Sequence, residues 1–412
     1  MNIEEQVKTL MQGTEYGDAN LAKAMETELR QRLTEAQESG RPLRVYAGFD
    51  PRTTDLHLGH TIPMRKLRQF QDFGHHVVFL IGSFTSLIGD PSDKDQLRPQ
   101  LTAEQVEQNA QTYAEQAFRV LDKDKTEVRQ NSEWLSKLDF ADLIKLAANF
   151  TLQQFITREN FHLRWEKGDP IFLHETFYPI MQGYDAYALK TDVQVGGTDQ
   201  LFNILTAGRK LMSAMGEKPN IGIILGILPG TDGEIKMSKS LGNHIPLNTD
   251  ANDMFGKVMS VPDKAMGAYM RLATRWTASE VARREAAVAD GSLHPRAAKA
   301  ELAYEITEIF YGAELAAAAR VQFDSVFQQG NVPTEMESFT AGKEQPLIEV
   351  LTAAGLVASK SEGRRLIEQK GVRLDGEALS DPAAPLPAAG VLQVGKRRFV
   401  RIEFLIPRSF AG

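Results

Sequence analysis

Apolar and polar positions change period several times along this chain, and the changes divide it. Up to about residue 40 apolar residues recur at helical spacing among charges, with Leu21, Met25, Leu29 and Leu33 every four positions, which predicts helix. The pattern then becomes a short, mostly apolar run, Leu43-Arg44-Val45-Tyr46-Ala47-Gly48-Phe49, closed by Asp50-Pro51-Arg52-Thr53-Thr54-Asp55. That reads as a strand followed by a loop. Asp55 suits the N-cap of a helix through Gln71, and His76 to Gly82 reads as a second buried strand. Strand, helix and strand in succession make a βαβ unit of a parallel sheet. Thr191 to Val195 and Ile221 to Leu228 supply further strands, and residues 100–165 read as helices inserted between them. The predicted fold class is α/β: a doubly wound parallel-sheet, Rossmann-like domain with an N-terminal helix and a helical insertion over residues 1–230.

Beyond it the texture changes. Residues 231–248 are turn-rich and are expected to form a mobile loop. Residues 249–328 carry helical patterns and no strands: Ala251 to Met259, Ala265 to Ala273, Ala278 to Ala289, and Pro295 to Phe327. Residues 329–345, with Gly, Pro and few large apolar side chains, look like a linker. The last part, 346–412, folds again on a small α+β scale, with helical patterns at Pro346 to Ala353 and Ser361 to Gln369, a turn at Lys370-Gly371, and short strands ending in Phe399-Val400-Arg401-Ile402. No internal repeat is evident.

Composition narrows the function. A chain of 412 residues with 42% hydrophobic and 25% charged residues is ordinary globular material for two or three domains. The N-terminal run MNIEEQVKTLMQ lacks the basic start and apolar stretch of a secretory leader, and no segment approaches bilayer length. No cysteine is present, which excludes disulfides and thiolate metal sites and fits a cytoplasmic location. The net charge of −7 argues at first against a nucleic-acid partner. The average hides an asymmetry, because residues 341–412 hold eleven basic against eight acidic residues. RNA could be held there.

Two short runs carry the chemistry. His57-Leu58-Gly59-His60 follows the first strand, so both imidazoles arrive at the carboxyl end of the sheet, on the first turn of a helix whose free N–H groups already favour phosphate. Gly59 removes a side chain that would block a nucleotide. The histidines can donate to phosphate oxygens as charge develops at an α-phosphorus. A capping histidine beside a core histidine is the other reading of such a pair. A zinc site would need a third ligand, and strand alternation points His75 and His76 to opposite faces, so no metal site is expected. The second run, Lys236-Met237-Ser238-Lys239-Ser240, puts two ammonium groups on the loop, suited to a leaving pyrophosphate. A solvated basic turn would look the same. Their conjunction, in this order and at opposite ends of the strand series, favours one phosphate-handling site.

Together these runs resemble the paired signature of class I aminoacyl-tRNA synthetases, and nearly the whole chain is similar to bacterial tyrosyl-tRNA synthetases. The resemblance implies ATP as substrate, Mg²⁺ with it, tyrosine and tRNA(Tyr) as partners, and a homodimer. It assigns His57, His60, Lys236 and Lys239 to catalysis. ATP would meet Gly48, Asp50, Gly59, Lys94, Arg98, Gly197 and Asp199 as well as Lys239. Leu87-Ile88-Gly89-Asp90-Pro91-Ser92 matches the family stretch whose aspartate, here Asp90, binds the substrate ammonium, with Thr85 at the same strand end. In Tyr178-Pro179-Ile180-Met181-Gln182-Gly183-Tyr184-Asp185, Tyr178 and Gln182 would hold the ammonium and Asp185 the phenol. Gly196-Gly197-Thr198-Asp199-Gln200 matches the ribose-binding turn, with Gln194 and Gln200 near the amino acid. Tyr46 is the second partner of the phenol in one branch of the family. Arg52-Thr53 departs from the small or polar residues commoner there.

The C-terminal part resembles the S4 RNA-binding domain, through Leu351-Thr352-Ala353-Ala354-Gly355-Leu356, Ser359-Lys360-Ser361-Glu362-Gly363-Arg364-Arg365-Leu366-Ile367 and Gly371-Val372-Arg373-Leu374-Asp375-Gly376. The likeness implies RNA contacts from Lys360, Arg364, Arg365, Lys370 and Arg373, with Lys396, Arg397 and Arg398 in the following hairpin. Tryptophanyl enzymes share the two catalytic runs but typically lack such a tail. The resemblance also assigns residues 249–328 to anticodon binding.

Overall fold

The computed structural model describes residues 2–51, 55–91, 102–328, 336–357, 359–395 and 398–404. Two compact units emerge, Met1–Ala319 and Arg320–Gly412. In the first, five strands form one parallel sheet: β1 Arg44–Phe49, β2 His76–Ile81, β3 Thr126–Gln130, β4 Val193–Gly197 and β5 Ile221–Leu225. Their order is β3-β2-β1-β4-β5, the doubly wound arrangement, in which strand order reverses at β1. Four strands stand where the apolar runs put them, with shifted ends; β5 stops at Leu225, three residues early.

The fifth is a correction. β3, Thr126-Glu127-Val128-Arg129-Gln130, lies inside the stretch read as all helix. It is an edge strand, half exposed and charged, held by Arg44 and His76 on Glu127, so it has no apolar run to betray it. A second correction concerns Asp55, which caps no helix. The chain makes a 3₁₀ turn at Leu58–His60 before the α-helix Thr61–Asp72 begins.

Before the sheet, helix Ile3–Met11 is capped by Asn2 and helix Ala19–Ser39 by Asp18, and the latter buries Met25, Leu29 and Leu33. The insertion holds short helices at Phe140–Ala147, Leu152–Ile156 and Glu159–Lys167. It is pinned by a buried, two-pronged ion pair between Arg164 and Glu175, at 2.8 and 2.9 Å. Helices Ala251–Ser260, Met266–Ala273 and Ala278–Ala289 follow the lysine loop. The sequence pattern predicts helix from Pro295 to Phe327; the helical stretch Pro295–Gln328 is interrupted at Gly312, at φ 81°.

The second unit packs helices Leu347–Ala353 and Lys360–Glu368 on a small mixed sheet: β6 Ser338–Ala341, β7 Val372–Leu374, β8 Glu377–Ala378, β9 Gly390–Val394 and β10 Arg398–Phe404, in the order β6-β10-β9-β7-β8. Its core gathers Leu351, Ile367, Val372, Leu392, Val400 and Ile402. β6 pairs in parallel with β10 and falls in the stretch read as linker, which is therefore not wholly extended chain.

Candidate active site

A parallel sheet covered on both faces should bury its central strand, yet Gly48 near the carboxyl end of β1 is exposed. A crevice opens there, where the strand order reverses. Just past it Asp50 accepts the Thr85 hydroxyl at 2.8 Å and the Tyr178 hydroxyl at 2.9 Å. A Cβ on Gly82 would stand 2.0 Å from Asp50 Oδ1, so only glycine lets the ends of β1 and β2 converge on that carboxylate. Burial, then the charges of Asp50 and Asp90, push the Tyr178 phenol well above its ordinary range, and it stays a donor.

His57 and His60 face each other with ring centroids 3.8 Å apart. The 3₁₀ turn explains this, since three residues per turn eclipse positions i and i+3. His60 Nδ1 accepts the His57 backbone N–H at 3.2 Å, which puts the proton of the neutral ring on Nε2. Burial, followed by neighbouring His60, His244 and Lys236, lowers His57 to about 2; burial and Lys236 lower His60 to about 4. Both are neutral donors at physiological pH. A Cβ on Gly59 would come within 3.1 Å of the His57 ring and 3.7 Å of Met237 Cβ. Gly59 thus leaves room for the His57 ring, and the turn packs against the lysine loop, whose Met237 is buried.

In that loop Lys236 Nζ pairs with Asp199 and Lys239 Nζ with Asp55, each at 2.8 Å. Asp232 and Asn243 brace the turn, Asn243 Oδ1 accepting the Ser238 amide at 2.8 Å. Asp199, at the end of β4, lies against Gly197, where a Cβ would meet its carboxylate at 2.7 Å.

Deeper in, helix Phe177–Ala188 presents Tyr178, Gln182 and Asp185. Asp185 is 3% exposed and accepts the Trp134 indole N–H at 2.7 Å and the Asn131 amide at 3.2 Å. Burial raises its carboxyl to about 8 despite those donors. Tyr46, fully buried, is pushed well above its usual range by burial and by Asp185, and its hydroxyl has no hydrogen-bond partner among the described residues. Asn203 joins Gln182 and Gln200 through 2.9 and 3.0 Å hydrogen bonds. Gln200 donates to Asp90, beside which Arg158 lies at 3.6 Å. Gln194, cross-strand from Tyr46, is buried and accepts from Asn220 at 3.2 Å.

Sequence reasoning missed Asn131, Trp134, Asn203 and Arg158. None belongs to a run with a recognisable pattern, and the first two follow the unread strand β3. Arg52, Thr53, Lys94, Arg98, Lys396 and Arg397 lie outside the described residues. In the second unit Arg364, Arg365, Lys370 and Arg373 are exposed. Lys360 pairs with Glu349 at 3.1 Å. Arg398 is half-buried, donating to Glu362 and the Leu356 carbonyl, so it ties β10 to the helices.

Comparison with known proteins identifies the family. The family described as tRNA synthetases class I (W and Y) matches residues 37–328, and the S4 domain matches residues 345–390. Tyrosine–tRNA ligase of Oleidesulfovibrio alaskensis is 47% identical over 98% of this chain and 99% of its own length. That of Thermotoga maritima is 44% identical over 98% of both. Among solved structures, a C-terminally truncated mitochondrial tyrosyl-tRNA synthetase of Aspergillus nidulans aligns with TM-score 0.62 at 24% identity, covering 79% of this chain and 94% of that one. Tyrosyl-tRNA synthetase of Archaeoglobus fulgidus aligns with TM-score 0.60 at 21% identity, covering 77% and 100%. The chain belongs to the class I aminoacyl-tRNA synthetases and, within them, to the tyrosine–tRNA ligase family.

Proposed function

We propose that this enzyme activates L-tyrosine with ATP, forming tyrosyl-adenylate and pyrophosphate, and then transfers tyrosine to the 3′ end of tRNA(Tyr). Asp185 carries the choice of amino acid. It is a buried carboxyl oriented by Trp134 and Asn131, beside a Tyr46 hydroxyl with no protein partner. A phenolic hydroxyl between them would pair with both, and an amino acid lacking it leaves the Tyr46 hydroxyl unpaired and Asp185 one hydrogen bond short. Relatives named tyrosine–tRNA ligase over nearly the full length support the same reading.

In this reading the tyrosine carboxylate attacks the α-phosphorus in line, and no enzyme nucleophile is needed. Catalysis is positioning and electrostatics. Asp90, Tyr178 and Gln182 hold the ammonium group, Gln194 and Gln200 stand near the amino acid, and Gly48, Asp50, Gly59, Gly197 and Asp199 line the nucleotide, with Lys94 and Arg98 on its phosphates. His57 and His60 donate to the phosphate as charge builds, while Lys236 and Lys239 leave Asp199 and Asp55 for the departing pyrophosphate. Among the described residues no cluster of three metal-ligating side chains is present, so Mg²⁺ would be held chiefly by the nucleotide's own phosphates, where it would supply charge neutralisation. Residues 249–328 and the S4 unit, through Arg364, Arg365, Lys370 and Arg373, hold the tRNA.

No helix among the described residues is long and apolar enough to cross a membrane, and we place the activity in the cytoplasm. The deciding experiment is amino-acid-dependent exchange of labelled pyrophosphate into ATP with each of the common amino acids, followed by tRNA charging. Exchange with tyrosine alone is the expected result. Exchange with tryptophan alone, or with none, overturns the reading.

A further inference from the structure

His244 has no part in the function described so far, yet the fold brings it to the first histidine. Leu58 N donates to the Ile245 carbonyl at 2.8 Å and Leu247 N to that of Leu56 at 3.0 Å, so the segment after the lysine loop runs antiparallel to the histidine segment, with His57 opposite Pro246. In such a ribbon, residues two apart share a face. Asp55 and His57 from one side therefore project with His244 and Asn248 from the other, and a pocket of about 100 Å³ lies on that face, with Lys239 completing its wall. The His57 and His244 rings meet edge to face at 6.2 Å.

The ribbon is held by backbone bonds, so it does not need an imidazole at position 244. The ring nevertheless faces the pocket, and both His57 Nδ1 and His244 Nδ1 are buried without a hydrogen-bond partner among the described residues. A buried polar atom left unpaired is unfavourable, and a ligand accepting a hydrogen bond offsets that cost. Burial, then Lys239 and Lys257, lowers the His244 pKa, so the ring enters as a neutral donor. Two neutral imidazoles and an ammonium around one cavity suit a multiply charged oxyanion.

We propose that His244 is a third imidazole of the phosphate pocket and donates directly to the pyrophosphate that leaves the α-phosphorus. This rests on the tyrosine-activating function proposed above. Lys239, with three donor hydrogens, can turn from Asp55 toward the same anion while His57 and His244 hold it from the ribbon face.

The test is pyrophosphorolysis of enzyme-bound tyrosyl-adenylate by the full chain, across a range of pyrophosphate concentrations. His244→Ala should raise KM for pyrophosphate about tenfold or more, the loss expected for one hydrogen bond to a charged group. KM for tyrosine should stay within about twofold, since His244 lies outside the amino-acid site. His244→Gln, which keeps an amide donor, should restore most of the loss. An unchanged KM for pyrophosphate overturns the proposal, as does an equal rise in both KM values, the sign of a structural role. Wild-type protein without tyrosine-dependent exchange would instead sink the function on which the proposal rests.

Discussion

Trp134, on the short helix Ser132–Leu135 just past β3, donates its indole N–H to Asp185 across 2.7 Å. Asn131 donates to the other carboxylate oxygen and also to the Thr85 hydroxyl, which in turn donates to Asp50. A single hydrogen-bonded chain thus connects the proposed phenol site to the crevice mouth at the end of β1. The orientation of Asp185 is built into the scaffold before any substrate arrives.

Asp185→Asn tests the phenol role most directly. The amide keeps the size but loses an acceptor, while Trp134 and Asn131 still point donors at it. Discrimination for tyrosine over phenylalanine, read as the ratio of kcat/KM values in exchange, should fall about ten- to hundredfold, the cost of one unpaired buried polar contact. Unchanged discrimination would remove Asp185 from the phenol site.

The raised pKa of Asp185 predicts how stability depends on pH. An unfolded aspartate ionises near 3.8 and the folded one near 8, so between those values the native state holds a proton the unfolded state has lost. Stability contributed by this group is complete below the lower value and is lost as pH rises to the upper one, by at most about 1.4 kcal/mol per pH unit. Asp185→Asn cannot ionise. Its Tm relative to wild type should climb from pH 4 to pH 8 and level off above; a gap independent of pH would show that Asp185 titrates normally.

Lys239 pairs with Asp55 on a half-exposed loop, where an ion pair contributes only about 0–1 kcal/mol to folding. Its value lies in the transition state. Lys239→Ala should leave Tm within about 2 °C and KM for tyrosine unchanged, while lowering kcat for adenylate formation about a hundredfold or more, as removal of one preorganised donor does elsewhere. Single-turnover kinetics decides, and a loss confined to KM would assign Lys239 to ground-state binding.

What could be read in the sequence depended on how local its cause is. The runs behind β1, β2 and β4 are apolar because central parallel strands are buried on both sides, and β5, the edge strand covered by the backbone of residues 13–15, is buried too. β3 is the half-exposed edge and is polar, and with it went Asn131 and Trp134. Asp55 looked like a cap because a capping residue is recognised by its neighbours alone; its true partner, Lys239, stands far along the chain. For the same reason His57, His60, Lys236 and Lys239 were legible as motifs, whereas Asn203, Arg158 and His244 gain meaning only through contacts that the fold creates.

The helical insertion carries the last prediction. Between residues 140 and 173 seven large apolar side chains stand in solvent: Phe140 at 77% exposure, Leu173 at 71%, Leu152 at 62%, Trp165 at 61%, Ile144 at 57%, Leu163 at 47% and Phe172 at 43%. Such a concentration is unusual on a monomer surface and marks an interaction site. The buried Arg164–Glu175 pair ties helix Glu159–Lys167 to the turn that carries Leu173, so Trp165 and Leu173 stand on elements fixed to each other. We propose that these side chains join two copies of the chain. Light scattering should give twice the 45.8 kDa chain mass for the wild type. The pair of substitutions Trp165→Glu and Leu173→Glu should give the chain mass itself with Tm little changed, because both side chains are already exposed. A wild-type monomer, or a dimer that survives both charges, would place the interface elsewhere.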